Sequence, residues 1–173
     1  MKAPPTVSKS KYMAGRQCPK LLWCHYHRKD LFPEEDERIQ AIFGQGHEVG
    51  DYAKRLFPGG IEVERDHWDF DGIVTESTQL LSERKPLFEA GFRHAGGFAR
   101  VDILNPVGRD QWDIVEVKSS TKVKDVHLED IAFQRFVYEG AGIKVRRTRL
   151  MLVNNQYVRR GRSILDSSSR SRM

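Results

Sequence analysis

The spacing of the hydrophobic residues changes near residue 85, and this change restricts the chain to folds that combine helices with a sheet. Over residues 35–57 the apolar side chains recur every three or four positions, which is the period of an amphipathic helix. A second helix is predicted over 73–84. From residue 86 onward, short apolar runs lie between turns that contain glycine and proline, which is typical of strands.

The second half of the chain is predicted to hold three short strands, a helix and a last strand. We place these elements in chain order at about 87–94, 98–104, 112–119, 127–141 and 147–153. Together with the preceding helix, this order predicts an α/β (α+β) fold, in which helices flank a mixed sheet.

The length of 173 residues fits one domain with a hydrophobic core. We place that domain at 12–158, after a flexible arm at 1–11 that contains two prolines. Residues 159–173 are basic and rich in serine, so we expect a disordered tail.

The positive charge is concentrated towards the end of the chain. The net charge is +5, and residues 144–173 hold nine Lys or Arg against one acid. A basic end on a nearly neutral body predicts a polyanionic partner, with a merely solvated tail as the alternative. There is no apolar run of 18 residues and no signal-peptide pattern at the start. We therefore expect a cytoplasmic protein without a membrane segment.

Charged residues interrupt the apolar strand at 112–119. Glu116 and Lys118 are two positions apart, so both side chains point to one face of the sheet. If the strands form a meander, Asp102 can approach Glu116, and Glu89 can reach the same end. Neighbouring carboxylates repel each other, and Mg²⁺ or Mn²⁺ would neutralise them. Lys118 could then orient water or stabilise phosphate charge; surface ion pairs are the alternative.

The helix after this strand carries two further polar residues on one side. Gln134 and Tyr138 are four positions apart, so they share a helical face. Such a pair can contact phosphate, sugar or a stacked base. The alternative is a half-buried tyrosine whose hydroxyl is satisfied within the protein.

Two cysteines lie close together near the start of the chain. Cys18 and Cys24 are followed by His25 and His27, which raises the alternative of a small zinc or iron–sulfur module. The spacing between the cysteines is longer than that of the usual metal-binding knuckle.

These motifs together resemble the PD-(D/E)xK nuclease superfamily. Asp102, the sequence Glu116-Val117-Lys118, and Gln134 with Tyr138 match the pattern of its RecB-like branch, whose members include CRISPR-associated exonucleases and the nuclease domains of helicase–nuclease complexes. The resemblance covers residues 8–157 and includes the serines and the Cys18-Pro19 pair near the start.

The resemblance implies a restriction-endonuclease-like core and a role for each motif residue. Asp102, Glu116 and the Val117 carbonyl would bind Mg²⁺ or Mn²⁺, and Glu89 would correspond to a less uniform acid of the first strand. Lys118 would be the catalytic lysine. Gln134 and Tyr138 would position DNA, which makes them predicted DNA-binding residues.

The implied function is a metal-dependent deoxyribonuclease that cleaves phosphodiester bonds in DNA repair, recombination or defence. The expected substrates are single strands or duplex ends, and a helicase or a larger nuclease complex is the expected protein partner. The competing class is a nucleic-acid-binding or scaffold module that keeps the fold without catalysis.

The chain departs from the family pattern in two places. The family's helix motif has a histidine four residues after a glycine, but here Gly46 is followed by Gly50, and Gly44 precedes His47 by only three. His47 is thus a candidate metal ligand, with an exposed helix histidine as the alternative. Family members with an iron–sulfur cluster pair an early cysteine with three late ones. Cys18 matches the first, and a missing C-terminal region of a shortened chain would have to supply the others.

Overall fold

A computed structural model describes residues 6–33 and 37–158, and for residues 37–43 it describes the backbone alone. The α-helices in this part are Lys9–Gln17 (α1), Pro19–His27 (α2), Glu37–Lys54 (α3), Phe70–Leu80 (α4) and Asp125–Gly140 (α5). The strands are Val7–Ser8 (β1), Ile61–Glu62 (β2), Leu87–Phe88 (β3), Gly91–His94 (β4), Gly97–Arg100 (β5), Ile103–Val107 (β6), Gln111–Lys118 (β7) and Val145–Leu152 (β8). The mixed α+β class expected from the sequence is confirmed.

The strands form two mixed sheets. The large sheet has the order β2-β3-β6-β7-β8, with β6 antiparallel and β8 parallel to β7. The small sheet has the order β1-β5-β4, with β1 parallel and β4 antiparallel to β5. Helix α5 lies between β7 and β8 in the chain, which allows these two strands to run parallel.

One bent hairpin joins the two sheets, and its bend interrupts two strands that the sequence predicts as continuous. The expected strands at 87–94 and 98–104 each divide in two, at Glu89–Ala90 and at Val101–Asp102. Hydrogen bonds continue through the bend, from the Glu89 N–H to the Asp102 carbonyl and from the Val101 N–H to the Ala90 carbonyl. Glu89 has a left-handed backbone, with φ of 56°, which breaks the extended run. The base of the hairpin, β3 and β6, therefore lies in the large sheet, and its tip, β4 and β5, lies in the small one.

Helices cover both faces of the large sheet. On one face, Ala53 of α3 belongs to a buried cluster with Phe88, Ile103 and Val115. The opposite face carries the larger core, in which α4 and α5 pack on strands of both sheets; its buried members include Ile73, Leu104, Ile114, Val137 and Tyr138. Alternating residues of β7 enter the two cores, because side chains of a strand point to opposite faces in turn.

The start of the domain differs from the sequence expectation. Residues 7–11 belong to β1 and to the first turn of α1, so the predicted flexible arm is wrong for this part. The edge pairing of Val7 with Gly97 holds the segment in place. Residues 1–5 of the arm and the predicted tail at 159–173 lie outside the described residues. Within the described part, no helix combines the length and apolarity that a membrane span requires.

Candidate functional site

Strand β7 places Glu116 and Lys118 on the face that α5 covers, as the spacing of two predicts. The Lys118 Nζ donates a hydrogen bond to Glu116 Oε1 at 2.6 Å. Val117, between them, points to the other face, where it packs against the α3 side of the sheet. The same short segment therefore contributes to two neighbouring sites, one on each face.

The first site is a group of five polar side chains that we call the lysine–carboxylate cluster: Lys9, Glu116, Lys118, Asp130 and Gln134. Glu116 lies at its centre and is only 2% exposed. Its Oε1 accepts hydrogen bonds from Lys9 at 2.8 Å and from Lys118 at 2.6 Å. Gln134 donates to Oε2 at 2.7 Å. Both carboxylate oxygens are thus occupied.

Asp130 of α5 completes the charge balance of the cluster. It accepts hydrogen bonds from Lys118 at 2.6 Å and from Gln134 at 2.8 Å, and Lys9 Nζ lies 3.5 Å from it. Burial opposes the charge of Asp130, but the two lysines hold its pKa below the ordinary value. Two ammonium groups therefore face two carboxylates in a partly buried, nearly neutral arrangement.

Both lysines of the cluster stay protonated. Burial lowers the pKa of each lysine, but the carboxylates of Glu116 and Asp130 together outweigh it, so the pKa of Lys9 and that of Lys118 both lie above the ordinary value. Lys118 also reaches the opening of the second site, where Ser119 lies beside it. Its ammonium group, however, is held by Glu116 and Asp130 on the α5 side of the sheet.

The second site, which we call the carboxylate pocket, is a cavity of about 120 Å³ on the α3 side of the sheet. Its lining includes His47 and Asp51 from α3, Glu89 and Asp102 from the bent hairpin, and Val117 from β7. Glu89 and Asp102 lie opposite each other at the bend. The break in the two strands is therefore what brings both acids to the pocket.

Asp102 is the acid whose electrostatic environment is most altered. The Val117 N–H donates to Asp102 Oδ2 at 2.6 Å, at the point where β6 stops pairing with β7. Burial, and then repulsion from Glu116 and Glu89, raise the pKa of Asp102 to about 7, against the opposing effects of Lys9 and this hydrogen bond. Within the described residues Asp102 has no ion-pair partner. Lys54 also lines the pocket, but it pairs with Glu62.

The predicted metal ligands are only partly brought together. His47, Glu89, Asp102 and Val117 line one pocket, but the carboxylate of Glu116 points into the lysine–carboxylate cluster. Among the residues the structure describes, no three His, Cys, Asp or Glu side chains converge in a metal-binding arrangement. The expected joint ligand set is therefore not assembled, because Lys9, Lys118 and Gln134 occupy the oxygens of Glu116.

Gln134 and Tyr138 are both fully buried, so neither side chain is accessible to DNA in this structure, and their DNA-binding role stays a prediction. Gln134 instead holds Glu116 and Asp130. The Tyr138 hydroxyl donates to the Ala90 carbonyl beside the bend, and its ring packs edge-on against Phe92. Both residues therefore fix the elements that carry the acids.

The cysteines do not form a metal site with other described residues. Cys18 is exposed between α1 and α2, and Cys24 is buried in α2. No group of three possible ligands surrounds them in residues 6–33 and 37–158. A role for Cys18 in an iron–sulfur cluster completed from elsewhere stays a prediction.

Sequence reasoning missed three residues of these sites. Lys9 and Asp51 gave no signal, because nothing in their spacing connects them with the acids of the strands. Asp130 did carry one: it precedes Gln134 by four residues, as Gln134 precedes Tyr138, which places all three on one side of α5.

Comparisons with known proteins add nothing to this picture: no family model, curated protein or solved structure matches the chain. The two sites themselves are therefore the basis for a proposed function.

Proposed function

We propose that this protein is a metal-dependent deoxyribonuclease of the RecB-like PD-(D/E)xK kind, acting in the cytoplasm on DNA phosphodiester bonds. One observation carries the proposal: the bent hairpin brings Glu89 and Asp102 into a pocket with His47, and Lys118 lies at its opening. Acidic oxygens with a lysine in the neighbouring lining suit the cleavage of a phosphodiester.

The arrangement of the large sheet supports a restriction-endonuclease-like core. An antiparallel pair, β6 and β7, is followed by α5 and by β8 parallel to β7. Helix α3 packs on the face that carries the pocket, and α5 packs on the other. This is the helix–strands–helix–strand order that the sequence predicts for such a core.

The donors of the pocket fit Mg²⁺ or Mn²⁺. Carboxylate and carbonyl oxygens are ligands for these ions, and a dication would relieve the repulsion that raises the pKa of Asp102. Asp102, Glu89, His47 and the Val117 carbonyl would hold the ion, joined by Glu116 once it leaves Lys9. When bound, the metal would supply a more acidic water and polarise a phosphoryl oxygen.

The side chains of the chain itself have separate roles in this proposal. Lys118 would stabilise negative charge that develops on the phosphate once its ammonium group turns from Glu116 and Asp130 towards the opening that the residue helps to line. Asp130 and Gln134 orient Lys118 and Glu116. Exposed arginines of β8, such as Arg147, hold backbone phosphates without reading the sequence. A helicase or a larger nuclease complex remains the proposed partner.

The contacts of Glu116 favour a second function, which is binding of nucleic acid without cleavage. Because Lys9, Lys118 and Gln134 already occupy Glu116, the site is internally neutralised. A protein that binds nucleic acid but no longer cleaves it would have the same arrangement.

The test is cleavage of supercoiled and single-stranded DNA with Mg²⁺ or Mn²⁺ by the parent protein, Glu116→Gln and Lys118→Ala. We expect both substitutions to slow cleavage roughly 100-fold or more, since each removes a charge next to the reacting phosphate. Exposed residues supply the controls Glu64→Gln and Lys20→Ala, which change the same charges elsewhere.

The controls should cleave like the parent protein, and thermal unfolding should show that all variants are folded. Equal cleavage by the parent and both site variants would contradict the catalytic assignment. Salt-sensitive DNA binding without any cleavage would instead support the binding or scaffold module.

A further inference from the structure

A second cavity, of about 350 Å³, lies next to the two sites just described. Its lining combines aromatic rings with groups that carry or can gain positive charge, and none of its lining residues is an acid. The aromatic side chains are Trp68, Phe70 and Phe98, and the basic ones include Lys9, Lys11 and Arg100. We call it the aromatic–basic cavity. Its composition suits an anionic ligand that also has a flat apolar part.

The aromatic side of this cavity offers an open stacking surface. Trp68 is 66% exposed, although an indole is among the most apolar groups a surface can carry. Its backbone N–H donates to Asp66 Oδ1 at 2.9 Å, which fixes the start of the loop before α4. Phe70 and Phe98 line the same cavity and pack together, with ring centroids 4.4 Å apart. A planar ring entering the cavity would meet a supported aromatic wall.

Two cations of the cavity connect it with the candidate nuclease site. Lys9 lines the cavity and also donates to Glu116 at 2.8 Å. Arg100 lines it as well, and its Nη2 lies 3.0 Å from Glu89 Oε2. The Arg100 Nε is buried and has no hydrogen-bond partner among the described residues. The same two side chains therefore border both the cavity and the acids.

We propose that the aromatic–basic cavity binds one unpaired nucleotide of a single-stranded nucleic acid, with its base against Trp68 and its phosphate held by Lys11 and Arg100. In a duplex the base faces are covered by stacking, whereas an unpaired base can lie on an aromatic ring. A strand held here would continue past Lys9 and Arg100 towards the carboxylate pocket. The proposal rests on the proposed function for the reaction beside it, but the binding itself requires no metal.

The experiment measures binding of a fluorescent oligothymidylate of about 12 nucleotides, within the length that single-strand sites cover. It uses the full chain in EDTA, which prevents cleavage. We expect Trp68→Ala to weaken binding roughly 5- to 100-fold, because stacking contributes that much per base. Trp23→Ala is the matched control: Trp23 is also exposed, but it lies on α2 and does not line the cavity.

Trp23→Ala should bind within about twofold of the parent protein, as expected for a surface site outside the contact. Equal binding by Trp68→Ala and Trp23→Ala would overturn the proposal. A blunt duplex that competes as well as the single strand would overturn the choice of an unpaired nucleotide, and thymidine monophosphate that competes equally would show a site for free nucleotides instead.

The outcome is separable from that of the cleavage test. Trp68-dependent binding without any Mg²⁺-dependent cleavage would support the cavity and contradict the nuclease. Cleavage that depends on Glu116, with binding indifferent to Trp68, would support the nuclease and contradict the cavity.

Discussion

Lys9 shows how a residue without any motif can become central to a site. It lies 107 positions before Glu116 in the chain, but its ammonium group is 2.8 Å from that carboxylate. Helix α1 begins at Lys9, directly after the two-residue strand that pairs with β5. The edge pairing of β1 thereby fixes where the lysine enters the cluster.

Replacing Lys9 by methionine should destabilise the protein. The change keeps most of the chain length but leaves Glu116 and Asp130 with Lys118 as their remaining cation in the cluster. Removing one partner of a buried ion pair leaves an uncompensated charge, so we expect a loss of about 1–3 kcal/mol, within the general range for lost partners. Thermal or urea unfolding at neutral pH measures this loss.

Lys20→Met is the matched control for this prediction. Lys20 is exposed on α2 and lies outside the cluster, so its replacement should change the free energy of unfolding by less than about 0.5 kcal/mol. If Lys9→Met and Lys20→Met were equally stable, the cluster would not depend on Lys9.

The residues that could be predicted from the sequence are those whose spacing is short. Glu116 and Lys118 share a face because they are two apart on one strand, and the structure confirms this. The orientation of the Glu116 carboxylate was not predictable, because it depends on Lys9 and Gln134 from other elements. For the same reason the spacing placed Tyr138 on the side of Gln134 but left open whether it contacts nucleic acid or is buried, and the structure buries it.

At the scale of elements, the bend in the hairpin is where the structure differs most from the sequence prediction. Short apolar runs between turns predicted unbroken strands through Glu89 and Asp102, and the hydrogen bonds of the hairpin do continue there. A hydrophobic pattern does not reveal the left-handed backbone of Glu89. Non-glycine residues rarely adopt this conformation, so nothing in the residue type predicts it either. Such strained positions are common at functional sites, which fits the place of Glu89 in the pocket.

Beyond the bend, helix α4 and strand β4 pack closely at Gly91. A Cβ atom at this position would lie 2.6 Å from the Ile73 Cγ2 and 2.9 Å from the Phe98 Cζ, both in the buried core. Gly91→Ala should therefore lower the free energy of unfolding by about 1–3 kcal/mol, the usual result of overpacking. Urea unfolding measures the change.

Gly44→Ala tests the opposite case within α3. Apart from its own stretch of helix, no atom of the described residues lies within 4 Å of a Cβ atom there, and the residue is exposed. Alanine should therefore stabilise the protein by about 0.5–1 kcal/mol, because glycine loses more backbone freedom in a helix. A Gly91→Ala protein as stable as the parent would contradict the close packing of α4 on β4.

At the scale of the molecule, the predicted order of elements from residue 70 onward was correct except for the two strands that divide, but the contacts between distant segments were not visible. The pairing of Val7 with Gly97 and the division into two sheets depend on residues far apart in the chain. A hydrophobic period reports the exposure of one element and does not identify its neighbour. The carboxylate pocket forms only when α3, the bent hairpin and β7 meet.

The pocket also makes the stability of the whole molecule depend on pH. Asp102 has a pKa of about 7 in the folded state, against 3.8 as the ordinary value. Between these two values the folded protein retains a proton that the unfolded chain has lost. Stability should therefore decrease as pH rises from about 4 to about 7, as far as this group is concerned, and stay low above that range.

Asp102→Asn removes this carboxylate and should make the protein more stable than the parent at pH 8, with the advantage decreasing towards pH 4. The largest advantage is about 4 kcal/mol, the value of a shift of roughly three pKa units. Thermal unfolding across this pH range measures it, with the exposed Glu64→Gln as the control for charge. Added Mg²⁺ should stabilise the parent protein at pH 8 but not Asp102→Asn, because the ion replaces the lost proton in the carboxylate pocket. An advantage of Asp102→Asn that is independent of pH, or an equal effect of Mg²⁺ on both proteins, would contradict both the altered pKa and the proposed ligand.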